Sequence, residues 1–237
     1  AHCLLLPPII GWLVWQRWPE LRGTEPRGWL PGLTVFAIGA LGWLFGDVAG
    51  VGLVRHFGLV VMLQGAVISL LGPAITRGIL FPLFYMLFMV PAGEELVPYL
   101  QTITAKMSMA LLGFAGVPAH IEGIFITIPN GWFKVAEACS GVKFLVAMFA
   151  YSVLVANVCF RSWPRRIAFV ASALALSILA NGVRAWGTIF AAQFVGIEVA
   201  AGFDHIVYGW FFFAVVIALV LLVSWRFFDR PSDQAAV

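Results

Sequence analysis

The sequence predicts an all-α fold, a polytopic transmembrane helical bundle with a short extracytoplasmic β-hairpin and an interfacial or re-entrant helix. Of the 237 residues, 62% are hydrophobic and only 11% are charged, and the mean hydropathy is +0.99. Soluble domains are about 45–50% apolar and about 25% charged. This composition excludes an ordinary soluble domain, a disordered tail, a coiled coil and a disulfide-stapled module. The apolar runs are too long and unbroken for the alternating strands of a membrane barrel.

Seven apolar segments divide the chain into candidate membrane spans. A helix rises 1.5 Å per residue, so about 20 residues cross a hydrocarbon core of about 30 Å. Shorter segments can use flanking polar residues that reach the interface. The segments are residues 3–15, 28–46, 57–76, 78–93, 144–160, 167–183 and 206–225.

The basic residues predict the orientation of these spans. Short cytoplasmic loops of membrane proteins are enriched in Lys and Arg. One topology places three arginine-rich loops on the cytoplasmic side, provided that residues 107–121 form a re-entrant or interfacial helix and do not cross. These cytoplasmic arginines are Arg17, Arg22, Arg27, Arg77, Arg161, Arg165, Arg166, Arg226 and Arg230.

In this topology, residues 93–141 are extracytoplasmic. Residues 94–112 are predicted to form an amphipathic helix, with one apolar face made by Leu96, Val97, Leu100, Ile103 and Met107. The β-branched and aromatic residues on both sides of the sequence Pro-Asn-Gly at 129–131 predict a β-hairpin.

Net charge and cysteine count carry less information. The formal net charge is +3, which in a membrane chain reports topology, so nucleic-acid binding is not expected. Cys3, Cys139 and Cys159 have no metal-binding spacing, and nothing local indicates a disulfide. We expect residues 1–237 to form a single integral-membrane domain. Because the chain starts at Ala1 and not at Met, the absence of a signal peptide carries little information.

Cys139 is the candidate nucleophile. It is predicted to lie at the outer N-terminus of a membrane helix, where free backbone N–H groups and the helix dipole stabilise a thiolate. The neighbouring small residues Ser140 and Gly141 leave room for a substrate backbone. On its own, however, Cys139 is as readily explained as a small buried apolar residue.

Two further residues are predicted at the same depth. Arg184 follows the segment 167–183 at the predicted extracytoplasmic end of that span, where its guanidinium can bind an oxyanion or a carboxylate. His205 precedes the last span, and an imidazole is the natural general base near neutral pH. Each also has a structural explanation, as a residue that satisfies its polar group at the interface. The weaker histidine candidates are His2, His56 and His120.

The sequence resembles the exosortase family, of the exosortase-A-like kind, over essentially its whole length. The resemblance is carried by PAGEEL at 91–96, EGIFITIPNG at 122–131, VAEACSG at 135–141, ANGVR at 180–184 and DHIVYGW at 204–210. The chain departs from the family pattern in three places. Family members usually carry a further membrane segment upstream of Ala1, so we expect that this N-terminal segment is missing. His2-Cys3 replaces a His-Gly pair, and Lys134 stands where an acid is common.

The resemblance implies a bacterial inner-membrane cysteine protease and transpeptidase with its active site at the periplasmic face. Its partner would be an exported protein whose C-terminal sorting tail carries a Pro-Glu-Pro motif, a hydrophobic helix and a basic end, in cells with exopolysaccharide and biofilm systems. A thioester would pass to an unknown acceptor, without cofactor or metal. Cys139 would be the nucleophile, Arg184 the stabiliser of the oxyanion or substrate, and His205 the base. The expected supporting residues are Glu137, Ser140, Gly141, Asn181 and Asp204.

Two other function classes stay open at this point. Glu94-Glu95 is similar to the paired glutamates of CAAX-type membrane metalloproteases, but Tyr99 occupies the position of their arginine. The acidic pair is equally explained by a helix start, where carboxylates interact favourably with the dipole. A non-enzymatic transporter or scaffold is disfavoured because no charged residue lies in the middle of a predicted span.

Overall fold

The computed structural model describes residues 4–196 and 209–229 and divides the chain into two compact units, Ala1–Ala92 and Gly93–Val237. Among the described residues, four helical stretches are long and apolar enough to cross a membrane: Pro31–Val48, Gly52–Gly78, Glu137–Cys159 and Trp163–Val195. A fifth is added if Leu80–Met89 and Glu94–Phe114 count as one broken span. The chain is therefore a multi-pass, mainly helical membrane protein, as predicted.

The first unit contains four helices. They are α1 (Leu6–Leu21), α2 (Pro31–Val48), α3 (Gly52–Gly78) and α4 (Leu80–Tyr85), which continues as a 3-10 turn, Met86–Met89. The prediction of one continuous helical span over residues 78–93 is wrong, because the helical part ends at Met89. Pro91 disfavours helix at the preceding residue, and Val90 is accordingly extended.

Antiparallel packing of α2 and α3 forms the core of this unit. Glycines recur every seventh residue on both helices, at positions 32, 39 and 46 and at 58, 65 and 72. A Cβ on Gly39 would lie 2.5 Å from the Met62 nitrogen, and one on Gly65 would lie 2.3 Å from the Phe36 nitrogen. Only glycine permits backbones to approach this closely. Within α3, Gly72 has a φ of 75° and precedes Pro73, so the helix is kinked there.

The second unit joins helices to a small sheet. Its elements in chain order are a 3-10 turn (Glu94–Leu96), α5 (Val97–Phe114), β1 (His120–Glu122), β2 (Phe125–Ile128), β3 (Gly131–Lys134), a 3-10 turn (Glu137–Cys139), α6 (Val142–Cys159), α7 (Trp163–Val195), α8 (Gly209–Ser224) and a last 3-10 turn (Trp225–Phe227). The sheet is antiparallel in the order β1-β2-β3. The predicted hairpin is β2–β3, and β1 is an addition.

Two predictions about the region before the sheet need correction. The bounds predicted for the re-entrant or interfacial helix, residues 107–121, are wrong, because Met107 to Phe114 belong to α5 and His120 already begins β1. Helix 94–112 corresponds to the first turn and α5, but its buried face differs from the predicted one. Ile103 is 40% exposed and Leu96 is 44% exposed. The buried positions of α5 are Leu100, Gln101, Thr104, Ala105, Ser108 and Leu112.

Two apolar clusters hold the second unit together. One joins α6, α7 and α8 through Met148, Val155, Phe169, Ala173, Val216 and Val220, among others. The other places the inner face of the sheet on α5 and α7 through Ala105, Leu112, Ile126, Ile128, Val135 and Ile189. Cys139 and Trp186 pack against the second cluster.

Candidate active site

Cys139 ends the 3-10 turn that connects the sheet to α6. The turn is closed by the Cys139 N–H, which donates to the Ala136 carbonyl at 2.9 Å. Ser140 is buried, and its hydroxyl donates to the Glu137 carbonyl at 2.6 Å. The Glu137 carboxylate itself is exposed. The backbone therefore presents a partly buried thiol three residues before α6 begins at Val142.

Asn181 of α7 holds this turn through hydrogen bonds. Its Nδ2 donates to the Cys139 carbonyl at 3.0 Å and to the Thr104 hydroxyl at 3.0 Å. The residue is only 5% exposed. This amide therefore connects three segments: α5, the Cys139 turn and α7. Because a buried hydrogen bond is costly to lose, the connection stabilises their arrangement.

Gly141 lies against the same amide. Its φ is +81°, a conformation in which other residues are strained. A Cβ at this position would lie 2.6 Å from the Asn181 Cγ and 2.8 Å from its Nδ2. Both the backbone conformation and the space therefore require glycine beside Cys139.

Arg184 lies one helical turn after Asn181, and residues three apart on a helix are neighbours. It is 8% exposed, and its Cζ lies 5.2 Å from the centre of the Phe144 ring. Such a geometry gives a cation–π attraction of about 2 kcal/mol when it is desolvated. Between α6, α7 and α8, a narrow cavity reaches this guanidinium; it is lined by Phe144, Ser177, Ala180, Asn181, Arg184, Phe212, Phe213 and Val216.

The expectation that Arg184 ends its helix is wrong. Helix α7 has 33 residues and continues to Val195. The extension packs under the sheet through Ile189, so it is stabilised by tertiary contacts. Arg184 lies about 32 Å from the start of α7 by helical rise, close to one hydrocarbon thickness. The arginine is therefore compatible with the predicted depth although the helix does not stop there.

The candidate base and the weaker histidine candidates lie in different parts of the chain. His205 and Asp204 lie outside the described residues, as does His2. His120 is exposed on β1, the strand farthest from β3, and its Nε2 lies 3.6 Å from a Glu122 oxygen. His56 belongs to the first unit, where a ring nitrogen lies 2.6 Å from the Gly52 carbonyl.

Asn181 also lines a second narrow cavity. Its lining residues are Leu100, Thr104, Ser140, Gly141, Leu145, Ser177, Ile178 and Asn181. Asn181 and Ser177 thus line both cavities, the one that includes Arg184 and the one that includes Ser140 and Gly141. Sequence reasoning missed Thr104, Phe144 and Ser177. Only Thr104 left a signal, as a polar residue in register with Gln101 and Ser108 on α5.

Glu94 and Glu95 form the first turn before α5, and both are exposed. Within the described ranges, no group of three or more His, Cys, Asp and Glu side chains is arranged to hold a metal ion. Cys139 and Cys159 both carry thiols.

Comparison with known families gives a match that covers most of the chain. The family model described as Transmembrane exosortase (Exosortase_EpsH) matches residues 1–222. Neither the curated proteins nor the solved structures gave a match.

Proposed function

Because this chain belongs to the transmembrane exosortase family, we propose that it is a cysteine protease and transpeptidase that cleaves C-terminal sorting tails of exported proteins. The observation that carries the proposal is the hydrogen bond from Asn181 to the Cys139 carbonyl, one helical turn before the buried Arg184. This hydrogen bond connects the turn that carries the candidate nucleophile, Cys139, to α7, which carries the candidate oxyanion ligand, Arg184.

Acylation is the first step of the proposed mechanism. His205 takes the proton of the Cys139 thiol, and the thiolate attacks the carbonyl carbon at the sorting motif. Arg184 binds the oxyanion of the tetrahedral intermediate. The C–N bond then breaks, and the tail leaves as an amine that receives its proton from His205. A thioester on Cys139 is the product.

In the second step, an acceptor amine, an acceptor hydroxyl or water attacks the thioester carbonyl, and His205 takes its proton. The Cys139 thiol is regenerated as the C–S bond breaks. Arg184 suits the oxyanion role in both steps, because a guanidinium keeps its charge and its planar set of donors in a buried setting. Asn181 and Gly141 hold the nucleophile turn, Ser140 closes it, and Asp204 orients His205.

The proposed location is the bacterial inner membrane, with the Cys139 turn on the periplasmic side. Support comes from the distribution of arginines. Arg161 lies between α6 and α7, and Arg165 and Arg166 lie in the first turn of α7, far along both helices from Cys139 and Arg184. We also propose a link to exopolysaccharide and biofilm systems, which membership of the family supports.

Co-expression with a tail-bearing reporter tests the function. The reporter carries a Pro-Glu-Pro motif, a hydrophobic helix and a basic end, and its processing is followed by blot. We expect Cys139→Ala to abolish cleavage, whereas the control Cys159→Ser retains it. Hydroxylamine should release a reporter fragment trapped on wild-type protein. Cleavage by Cys139→Ala at the wild-type rate would refute the proposal.

A further inference from the structure

Among the described residues, no strand pairs with the outer edge of β3, and this free edge leads directly to Cys139. In the sheet order β1-β2-β3, β3 is an outer strand, and it ends five residues before the candidate nucleophile. An outer strand presents unpaired N–H and C=O groups, which can pair with an added strand.

The register identifies which backbone groups point outward. The Val135 N–H donates to the Ile124 carbonyl, and Ile126 is opposite Phe133. In an antiparallel ladder, hydrogen-bonded and non-hydrogen-bonded pairs alternate. The N–H and C=O groups of Trp132 and Lys134 are therefore directed away from β2.

The free edge is accessible and its end is fixed. The Trp132 side chain is 64% exposed, and Lys134 is exposed as well. Beyond the strand, Gln101 of α5 donates from its Nε2 to the Val135 carbonyl at 2.7 Å. Ala136 stays extended, with φ −64° and ψ 161°, up to the turn that holds Cys139.

The direction of β3 follows from two contacts with α7. At the hairpin tip, the Asn130 Nδ2 donates to the Gln193 Oε1 at 3.1 Å. At the other end, the Cys139 carbonyl binds Asn181. These α7 residues are twelve positions apart, which is about 18 Å along the helix. Residues 130–139 thus descend along α7 toward the membrane-spanning part of the helix.

We propose that the free edge of β3 binds the substrate polypeptide as an added parallel strand, through the outward backbone groups of Trp132 and Lys134. This inference rests on the proposed function. A chain that runs parallel to β3 enters from the Gln193 end and continues into the membrane, as a protein with a C-terminal hydrophobic tail does. A descent of about 18 Å corresponds to five or six extended residues before the scissile bond.

Proline at the free edge provides the test. Lys134→Pro removes an outward N–H without breaking a ladder bond of β3, and proline is tolerated at such positions. We expect cleavage of the tail reporter to fall about tenfold or more, since one donor is lost and the ring obstructs pairing. Lys134→Ala keeps the N–H and should stay within about twofold of wild type.

A proline on the opposite edge is the matched control. The Ile121 N–H points away from β2 on β1, because His120 and Glu122 flank it in hydrogen-bonded pairs with β2. Because Ile121 packs against the second apolar cluster, its reference is Ile121→Ala, and Ile121→Pro should cleave the reporter at a rate close to that of Ile121→Ala. Equal activity of Lys134→Pro and wild type, or equal losses in the two proline variants, would overturn the inference.

Cross-linking tests the same inference without turnover and without a proline. A benzoylphenylalanine replaces Trp132 in the Cys139→Ala protein, which is then irradiated in membranes with the reporter. The control carries it at His120, in the same cross-strand row but on the far edge. Cross-linking from position 132 alone supports the inference, and equal or no cross-linking from both positions refutes it. Cleavage by Cys139→Ala would instead refute the function and leave the cross-link to decide on the edge.

Discussion

Replacing Gly141 by alanine tests whether the Asn181 amide holds the Cys139 turn. A non-glycine residue in the left-handed region costs about 1–2 kcal/mol. The new Cβ would also lie within 2.9 Å of three Asn181 side-chain atoms. The amide must move and lose its bonds to Cys139 and Thr104, at about 1 kcal/mol each. We therefore expect a total destabilisation of about 3–4 kcal/mol.

Gly116→Ala is the matched control for this substitution. Gly116 also has a positive φ, +72°, but a Cβ there would have no neighbour within 4 Å. Its cost should be the backbone strain alone, about 1–2 kcal/mol. Thermal unfolding of both variants in detergent, followed by tryptophan fluorescence, measures the difference.

A double-mutant cycle isolates the steric part. Asn181→Ala removes the amide that the new methyl group would meet, so Gly141→Ala should cost only backbone strain in that background. We expect a coupling of about 2 kcal/mol between the two positions. Additive effects, or equal losses in Gly141→Ala and Gly116→Ala, would show that Asn181 does not hold the turn.

Three further predictions address Arg184, the α2–α3 pair and the C-terminal contact. Arg184→Lys keeps the charge but loses the planar donors, so reporter cleavage should fall about 100-fold or more while membrane insertion persists. Gly65→Ala should lower the melting temperature, because its Cβ would meet the Phe36 backbone. Gly42→Ala is the control and should not lower it, because its Cβ would lie 3.7 Å from the Gly58 Cα, an ordinary contact distance. Asp229→Asn removes the ion pair with Arg165, and because this pair is partly exposed, denaturant titration should show a loss below about 1 kcal/mol.

Uncharged runs predicted the helices α2, α3, α6 and α7 because long apolar segments report burial in lipid directly. They failed where tertiary contacts decide the outcome. The extension of α7 beyond Arg184 depends on packing with the sheet, which no local pattern encodes. Strand β1 has only three residues, and two of them are charged or titratable, so it gives no strand pattern in the sequence. It is a strand because it pairs with β2.

The face of α5 was assigned wrongly for a related reason. An apolar stripe is the usual signal of the buried face of a helix. In α5, however, the buried positions include Gln101, Thr104 and Ser108. Two of these bind partners on other segments, the Val135 carbonyl and Asn181. Residue type and predicted depth identified Cys139 and Arg184 as candidates, and the resemblance added Asn181, but the hydrogen bond that couples Asn181 to Cys139 required the fold.

The close contact of α2 and α3 has a consequence for how the protein responds to its surroundings. Glycines bring the two backbones together, and the ion pair between Asp47 and Arg55 is at one end of the helices and half-exposed. Dispersion forces between packed atoms depend on neither proton nor salt concentration. Acid or high ionic strength should therefore leave this helix pair assembled, although both conditions weaken its ion pair.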